Sequence, residues 1–220
     1  MMKNNDITTI YVIRHGESEG NIHAHNNPDT IFTDETEYGS PLTEKGKEQA
    51  RLVSQRLEDL DFAAIFSSDL IRAKETAEIV AKPHGLSVVT NNTIRERNWG
   101  AQMSKSIRSE IEEAVKALNE EERLAHRYFP DGETGLEAIK RFTNFLEEIV
   151  PAYKGQKIAV VNHGNIMRSF LVKIGFAKYD ELPSGSLENT AYFVLETDGE
   201  TYKIIETKGI SRNKKNDDEE

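Results

Sequence analysis

Cysteine is absent from this chain of 220 residues. That single absence removes disulfides, thiolate zinc sites and a thiolate nucleophile together. Long apolar stretches are missing too. The longest unbroken runs, Phe62 to Phe66 and Ala191 to Leu195, are five residues each, whereas a membrane-spanning helix needs about 20. The first residues, Met1 to Asp6, carry no hydrophobic segment of signal-peptide type, so a cytoplasmic location without a membrane partner is the expectation. Positive charge is in short supply: 28 Lys and Arg against 38 Asp and Glu leave a net charge of −10. A balance of that sign argues against nucleic acid as a partner, but it leaves room for a local basic pocket.

What remains is an ordinary globular composition, 37% hydrophobic and 30% charged. The length fits one domain with an elaborated lobe. Residues 1–210 read as that domain, and the polar, charged segment 211–220 reads as a disordered tail. Ile7 to Ile13, β-branched and aromatic, predicts a strand. Thr43 predicts the N-cap of a helix with Ala50, Leu52, Val53, Leu57 and Leu60 at helical spacing. A short strand over 63–66 follows, and Ser67, Ser68 and Asp69 offer capping oxygens for a helix that Pro83 and Gly85 stop near Ala81.

A strand is expected over 87–90, and a heavily charged, exposed helical lobe over about 100–130. A helix over 134–149 carries Leu136, Ile139, Phe142, Phe145, Leu146 and Ile149 on one face. Ile158 to Val161 reads as a strand covered on both faces, with a helix over 165–174 behind it. Strands 191–195 and 202–206 flank Asp198-Gly199, a hairpin signal. Alternating strands and helices predict an α/β fold: three layers, α/β/α, a mostly parallel central sheet, and the helical lobe over the active site.

In such sheets ligands bind at the carboxyl ends of strands. Three predicted strand ends carry chemistry. The first ends in Arg14-His15-Gly16-Glu17-Ser18, with Asn21 beyond it. The second ends in Ser67-Ser68-Asp69, with Arg72 one turn on. The last ends in Asn162-His163-Gly164-Asn165. Two histidines 148 positions apart and two arginines can therefore meet in one pocket.

Arginine's planar fork suits phosphate oxygens, and helix N-termini add N–H donors and a favourable dipole. A neutral imidazole can attack phosphorus, while a second one, if charged, would steady the oxygens. A phosphate ester also needs a proton donor for its leaving oxygen. Glu96 is the candidate, with Trp99 near enough to exclude water. Arg72 lies three positions from both Asp69 and Glu75, which is also the spacing of surface ion pairs. His23 and His25 form an H-x-H pair near Asp29 and Asp34, a pattern compatible with a metal, but a polar loop is the simpler reading and no metal site is assigned.

Six blocks carry a family likeness: RHGESEGN (14–21), SPLTEKGKEQA (40–50), SSDLIRAKETA (67–77), RERNWG (95–100), PDGETGLEAIKRF (130–142) and VNHG (161–164). In this order and spacing the chain resembles the histidine phosphatase superfamily, in its phosphoglycerate-mutase-like branch. The resemblance implies that His15 is the phosphorylated nucleophile and Glu96 the acid that also activates water. It further implies that Arg14, Asn21, Arg72, His163 and the backbone at Gly164 and Asn165 bind phosphate, without metal or cofactor.

Glycolytic mutases follow the equivalent of Gly100 with more glycines and a Leu-Asn-Lys stretch, whereas this chain has Ala101-Gln102-Met103-Ser104-Lys105-Ser106. Their paired substrate arginines have no clear match here, since Arg123 and Arg127 are separated. The missing clamp favours hydrolysis of a small phosphorylated substrate. A mutase, or a weakly catalytic interaction module on the same fold, is the alternative. Segment 26–40, with Phe32, Tyr38 and four acids, could cover the pocket. The oligomeric state is left open, a homodimer included.

Overall fold

The computed structural model describes residues 7–29, 39–100 and 104–213. Segment 30–38, which holds most of the expected pocket-covering loop together with Asp34, lies outside them, as do 101–103 and 214–220.

Strands β1 (Thr8–Arg14), β2 (Phe62–Ser68), β3 (Val88–Asn91), β4 (Lys157–Asn162), β5 (Leu187–Thr197) and β6 (Tyr202–Ile210) form one sheet in the order β3-β2-β4-β1-β5-β6. The first four are mutually parallel, and β5 runs antiparallel between β1 and β6. The sheet is mostly parallel, and β5–β6 is the hairpin that Asp198-Gly199 signalled.

Strand residues alternate between two apolar layers. Ile10, Val12, Phe66, Ile158 and Val160 face α6 (Gly135–Ile149) and α7 (Gly164–Lys173). Ile13, Ile65, Ala159 and Val161 face α2 (Glu44–Leu57) and α3 (Ile71–Ala81). Both faces of the central strands are thus covered, which explains why β4 is a continuous apolar run.

Local chemistry sets the helix starts. Thr43 accepts from Gly46 N–H at the head of α2. Thr134 and Glu137 form a reciprocal capping box on α6, as Ser18 and Asn21 do on α1 (Glu19–Asn26). Each satisfies N–H groups that a helix end leaves without partners.

Three expectations need correction. Asp69 does not cap α3, whose N-cap is Leu70 with no side-chain hydrogen bond. Its carboxylate is taken by Arg95 in a two-point pair at 2.7 and 2.7 Å. The lobe helix is broken into α4 (Lys105–Ala114) and α5 (Glu120–Ala125), because Asn119 and Glu122 build a capping box that starts the second helix. Nor is the lobe simply exposed, since Ser104, Val115, Arg123 and Leu124 are buried. Finally, residues 211–213 of the segment read as a tail make specific contacts. Ser211 N–H donates to Ser186, Asn213 N–H to Glu181, and Arg212 pairs with Glu181.

Among the described residues no helix is long and apolar enough to cross a membrane. Phe142 is fully buried and meets Phe170 edge-on, ring centroids 5.3 Å apart. Phe142→Ala should cost about 3–5 kcal/mol in urea unfolding while leaving turnover per folded molecule unchanged. A loss under about 1 kcal/mol would contradict this view of the core.

Candidate active site

β1 and β4 are neighbours, and Arg14 at the end of one sits in register with Asn162 at the end of the other. The chain continues from both into histidines, and His15 N–H donates to the Asn162 carbonyl at 3.0 Å. The two imidazoles therefore face each other, centroids 5.1 Å apart and planes at 60°. β2 lies on the other side of β4 and delivers Arg72, whose Nε donates to His15 Nε2 at 3.2 Å. Asp69 and Glu75, the spacing partners of Arg72, are engaged by Arg95 and by Leu42 N–H at 2.7 Å. The pocket expected from the strand ends is assembled.

His15 is 3% exposed and His163 0%. The Nδ1 of His15 lies 2.6 Å from the Gly16 carbonyl. A carbonyl only accepts, so Nδ1 carries the proton and Nε2 keeps its lone pair. Burial first, then the charges of Arg72 and Arg14, push the His15 pKa well below the ordinary imidazole value. His163 is pushed the same way by burial, then Arg72, His15 and Arg14. The charged form of His163, conditional in the sequence reading, is opposed by these surroundings.

Both His163 ring nitrogens, Arg14 Nε and Asn162 Nδ2 are buried without a hydrogen-bond partner among the described residues. Arg14 is anchored by donation to the Leu187 carbonyl, and burial lowers its pKa while Glu96 opposes that shift. Unpaired buried donors beside two guanidinium groups make a cup suited to an oxyanion.

Backbone contacts hold the cup in place. Gly16 N–H donates to Thr76 at 3.1 Å. The His15 carbonyl accepts from Thr190 N–H at 3.3 Å and from Asn189 Nδ2 at 3.2 Å. Thr190 has φ +61°, a left-handed conformation that is costly for a β-branched residue, about 1–3 kcal/mol. Sequence reasoning missed Asn189 and Thr190, because the apolar pattern begins only at Ala191.

Asn21 accepts Ser18 N–H through Oδ1 at 3.3 Å, leaving its amide nitrogen as the donor it can offer. Gly164 has a steric reason to be glycine: a Cβ there would stand 3.1 Å from Arg14 Nε.

Glu96 is placed differently from expectation. His163, the N-cap of α7, makes no capping hydrogen bond through its ring. The Glu96 carboxylate does that work. Oε2 accepts from Asn165 N–H and Nδ2, each at 3.0 Å, and Oε1 from Ile166 N–H at 3.1 Å and Arg97 N–H at 2.8 Å. The N–H groups of Asn165 and Ile166 thus hold the acid where a phosphate oxygen was expected for Asn165. Trp99 is not its shield either. That ring stacks on Tyr128 at 5.1 Å and lies under Arg97 and Arg108 at 4.3 and 4.6 Å.

The lobe meets the site through Arg108, which donates to Asn165 Oδ1 at 2.7 Å and shares Glu112 with Arg168. Arg123 pairs with Asp180 and Arg127 with Glu137, so these two do not form a joint clamp. His25 Nδ1 lies 3.2 Å from Lys105 Nζ, and Asp29 accepts from Ser106 at 2.6 Å, so the expected polar segment is tied to the head of α4.

Comparison with known proteins bears on this geometry. The family model "Histidine phosphatase superfamily (branch 1)" matches residues 10–208. The chain is 33% identical over 158 residues to the probable phosphoglycerate mutase GpmB of Erwinia tasmaniensis, covering 70% of this chain and 69% of that one. Among solved structures it is similar to Bacillus stearothermophilus YhfR, with 28% identity, TM-score 0.72, and 92% and 97% of the two chains covered. It also shares the fold of a phosphoglycerate mutase from Bacillus anthracis, with 24% identity, TM-score 0.72, and coverage of 94% and 95%.

Because both histidines fold in neutral, the unfolded chain binds more protons once pH drops below the free imidazole pKa of about 6.5. Stability should be full above about pH 7.5 and fall through the free imidazole pKa toward pH 5.5, above the carboxylate range, in urea unfolding followed by circular dichroism. A His15→Gln, His163→Gln double variant should show a shallower fall. Stability that is flat or rises toward pH 5.5 would contradict the assignment.

Proposed function

The chain belongs to the histidine phosphatase superfamily, branch 1, and within it we propose that it is a phosphomonoester hydrolase working through a phosphohistidine at His15. The observation that carries this reading is the tautomer lock: the Gly16 carbonyl holds the Nδ1 proton, and Arg72 sits at the nucleophilic Nε2.

In the first step the Nε2 lone pair attacks phosphorus and the ester P–O bond breaks. Arg14, Arg72, Asn21, Gly164 N–H and His163 hold the equatorial oxygens. A dianion reverses the local field of the two arginines, and under that field His163 gains a proton. The leaving oxygen takes a proton from Glu96, which must turn out of its cradle at α7 with its carboxyl protonated. In the second step Glu96 takes a proton from water, the water oxygen bonds to phosphorus and the P–N bond breaks; as phosphate leaves, His15 is neutral again and His163 returns to solvent the proton it took from solvent on binding.

Hydrolysis is favoured over transfer because Arg123 and Arg127 are each engaged elsewhere, so these two do not form a clamp to retain an intermediate. The mutase reading has one observation in its favour, the name borne by the GpmB relative. No metal is required by this scheme, since arginines and histidines supply the charge.

Brief reaction with labelled substrate should trap acid-labile phosphate on His15, and His15→Ala should abolish both label and turnover. Turnover should persist in chelator across a panel of small phosphate esters. Interconversion of 3- and 2-phosphoglycerate with a bisphosphate primer, outpacing phosphate release, would replace hydrolase by mutase. Glu96→Gln should cost about 10²–10⁴-fold with alkyl esters and far less with p-nitrophenyl phosphate, whose leaving group needs no proton.

A further inference from the structure

A carboxylate that must both cap α7 and reach a leaving oxygen has to be held by its backbone, because its side chain must be free to move. The segment around Glu96 has little regular structure of its own: one turn of 3-10 helix at Asn92–Ile94, then irregular chain to Gly100. Its carbonyls find their partner in a single side chain from α6. Arg141 Nη1 donates to the Thr93 carbonyl at 2.6 Å and the Arg95 carbonyl at 2.9 Å, and Nη2 donates to the Glu96 carbonyl at 3.1 Å.

The rest of the guanidinium is gripped by Glu133, with Nε on Oε1 at 2.7 Å and Nη2 on Oε2 at 2.8 Å. Glu133 in turn accepts Asn98 N–H at 2.9 Å, and its own N–H donates to the Asn98 carbonyl at 2.7 Å. The pair therefore holds the chain on both sides of Glu96, at 93–96 and at 98. A second clamp, Arg95 on Asp69, ties the same segment to the connection that leads into α3 and Arg72. Burial opposes ionisation of Glu133, but the Arg141 and Asn98 contacts outweigh it and hold its carboxyl below the usual range.

From this geometry we infer that the Arg141–Glu133 pair is a positioning device for the proton-transferring carboxylate. Arg141 sets the depth of Glu96 through backbone carbonyls without touching substrate. The inference rests on the proton-transfer role of Glu96 proposed above. Only a planar fork with five N–H donors can serve three carbonyls and a carboxylate at once, and a lysine ammonium, with three donors on one atom, cannot reproduce it.

The test is a set of four full-length proteins: wild type, Arg141→Lys, Glu96→Gln and the double variant. Each is assayed on the alkyl ester turned over best and on p-nitrophenyl phosphate. Misplacement by about an ångström can cost up to about 100-fold, so Arg141→Lys should lose at least about tenfold in kcat on the alkyl ester. It should stay within about threefold on the aryl ester, with little change in KM. Sulfate binding to the phosphate cup should match wild type, which a general structural collapse would not allow. In the Glu96→Gln background the lysine substitution should add nothing on the alkyl ester, because residues acting as one unit are not additive.

Equal losses on both esters, full additivity of the two substitutions, or a wild-type rate for Arg141→Lys would each overturn the proposal. If Glu96→Gln itself fails to discriminate between the esters, the acid role falls and this inference with it. If Glu96→Gln discriminates and Arg141→Lys does not, this inference alone falls. Should Arg141→Lys fold poorly, Glu133→Gln keeps the shape, removes the charge and one acceptor, and should show the same ester-selective loss at smaller size.

Discussion

The structure turns on the parallel pairing of β1 with β4. Each strand alone ends in a histidine with nothing to mark its target. Paired with Arg14 opposite Asn162, the strands bring the two imidazoles together, with planes at 60°, beside the guanidinium groups of Arg14 and Arg72. The cost is high: two buried imidazoles, a half-buried arginine, and buried polar atoms without partners among the described residues. Such a cluster persists because the surrounding sheet is covered on both faces by apolar helices, and the core stabilises what the site destabilises. The strained Thr190 belongs to the same bargain, since its N–H reaches the His15 carbonyl only from a left-handed conformation.

The helix dipole is the second organising force. α7 begins directly after His163, and its N-terminus lacks a capping side chain of its own. Glu96, 67 positions before His163 in the chain, fills that role, its carboxylate accepting from the backbone N–H groups of Asn165 and Ile166. One carboxylate thus links the segment 93–98, the head of α7 and the phosphate cup. Its attachment to α6 through Arg141 means that three separate elements agree on where it stands. Redundant attachment of this kind is what a precisely placed group on an irregular segment needs.

Charge is distributed against the average. The chain carries a net charge of −10, yet arginines gather around the site and in the lobe, where Arg97, Arg108 and Arg168 are held by carbonyls, aromatic faces and Glu112. The lobe, read from sequence as helical, exposed and heavily charged, meets the rest of the molecule through these contacts. Lys105, Glu110, Glu113, Lys116, Glu121 and Glu122 stay exposed, while Arg108 turns toward Asn165 and Trp99.

The sequence alone was enough for the α/β class, for most element positions and for the histidines and arginines that meet at the strand ends. Apolar periodicity and turn chemistry are local, and the RHGE, SSDLIRA and VNHG blocks sit at strand ends that any parallel sheet would turn the same way. Tertiary structure decided what depends on partners distant in the chain. Asp69 answers Arg95 rather than its own helix, Asn119 divides the lobe, and 211–213 are pinned by Glu181 and Ser186. Glu96 caps α7, Arg141 grips the acid segment, and both histidines fold in neutral. Charge state, cap identity and hydrogen-bond allegiance are set by which groups meet in low-dielectric space, and a pattern of residue types along a chain does not contain that distance.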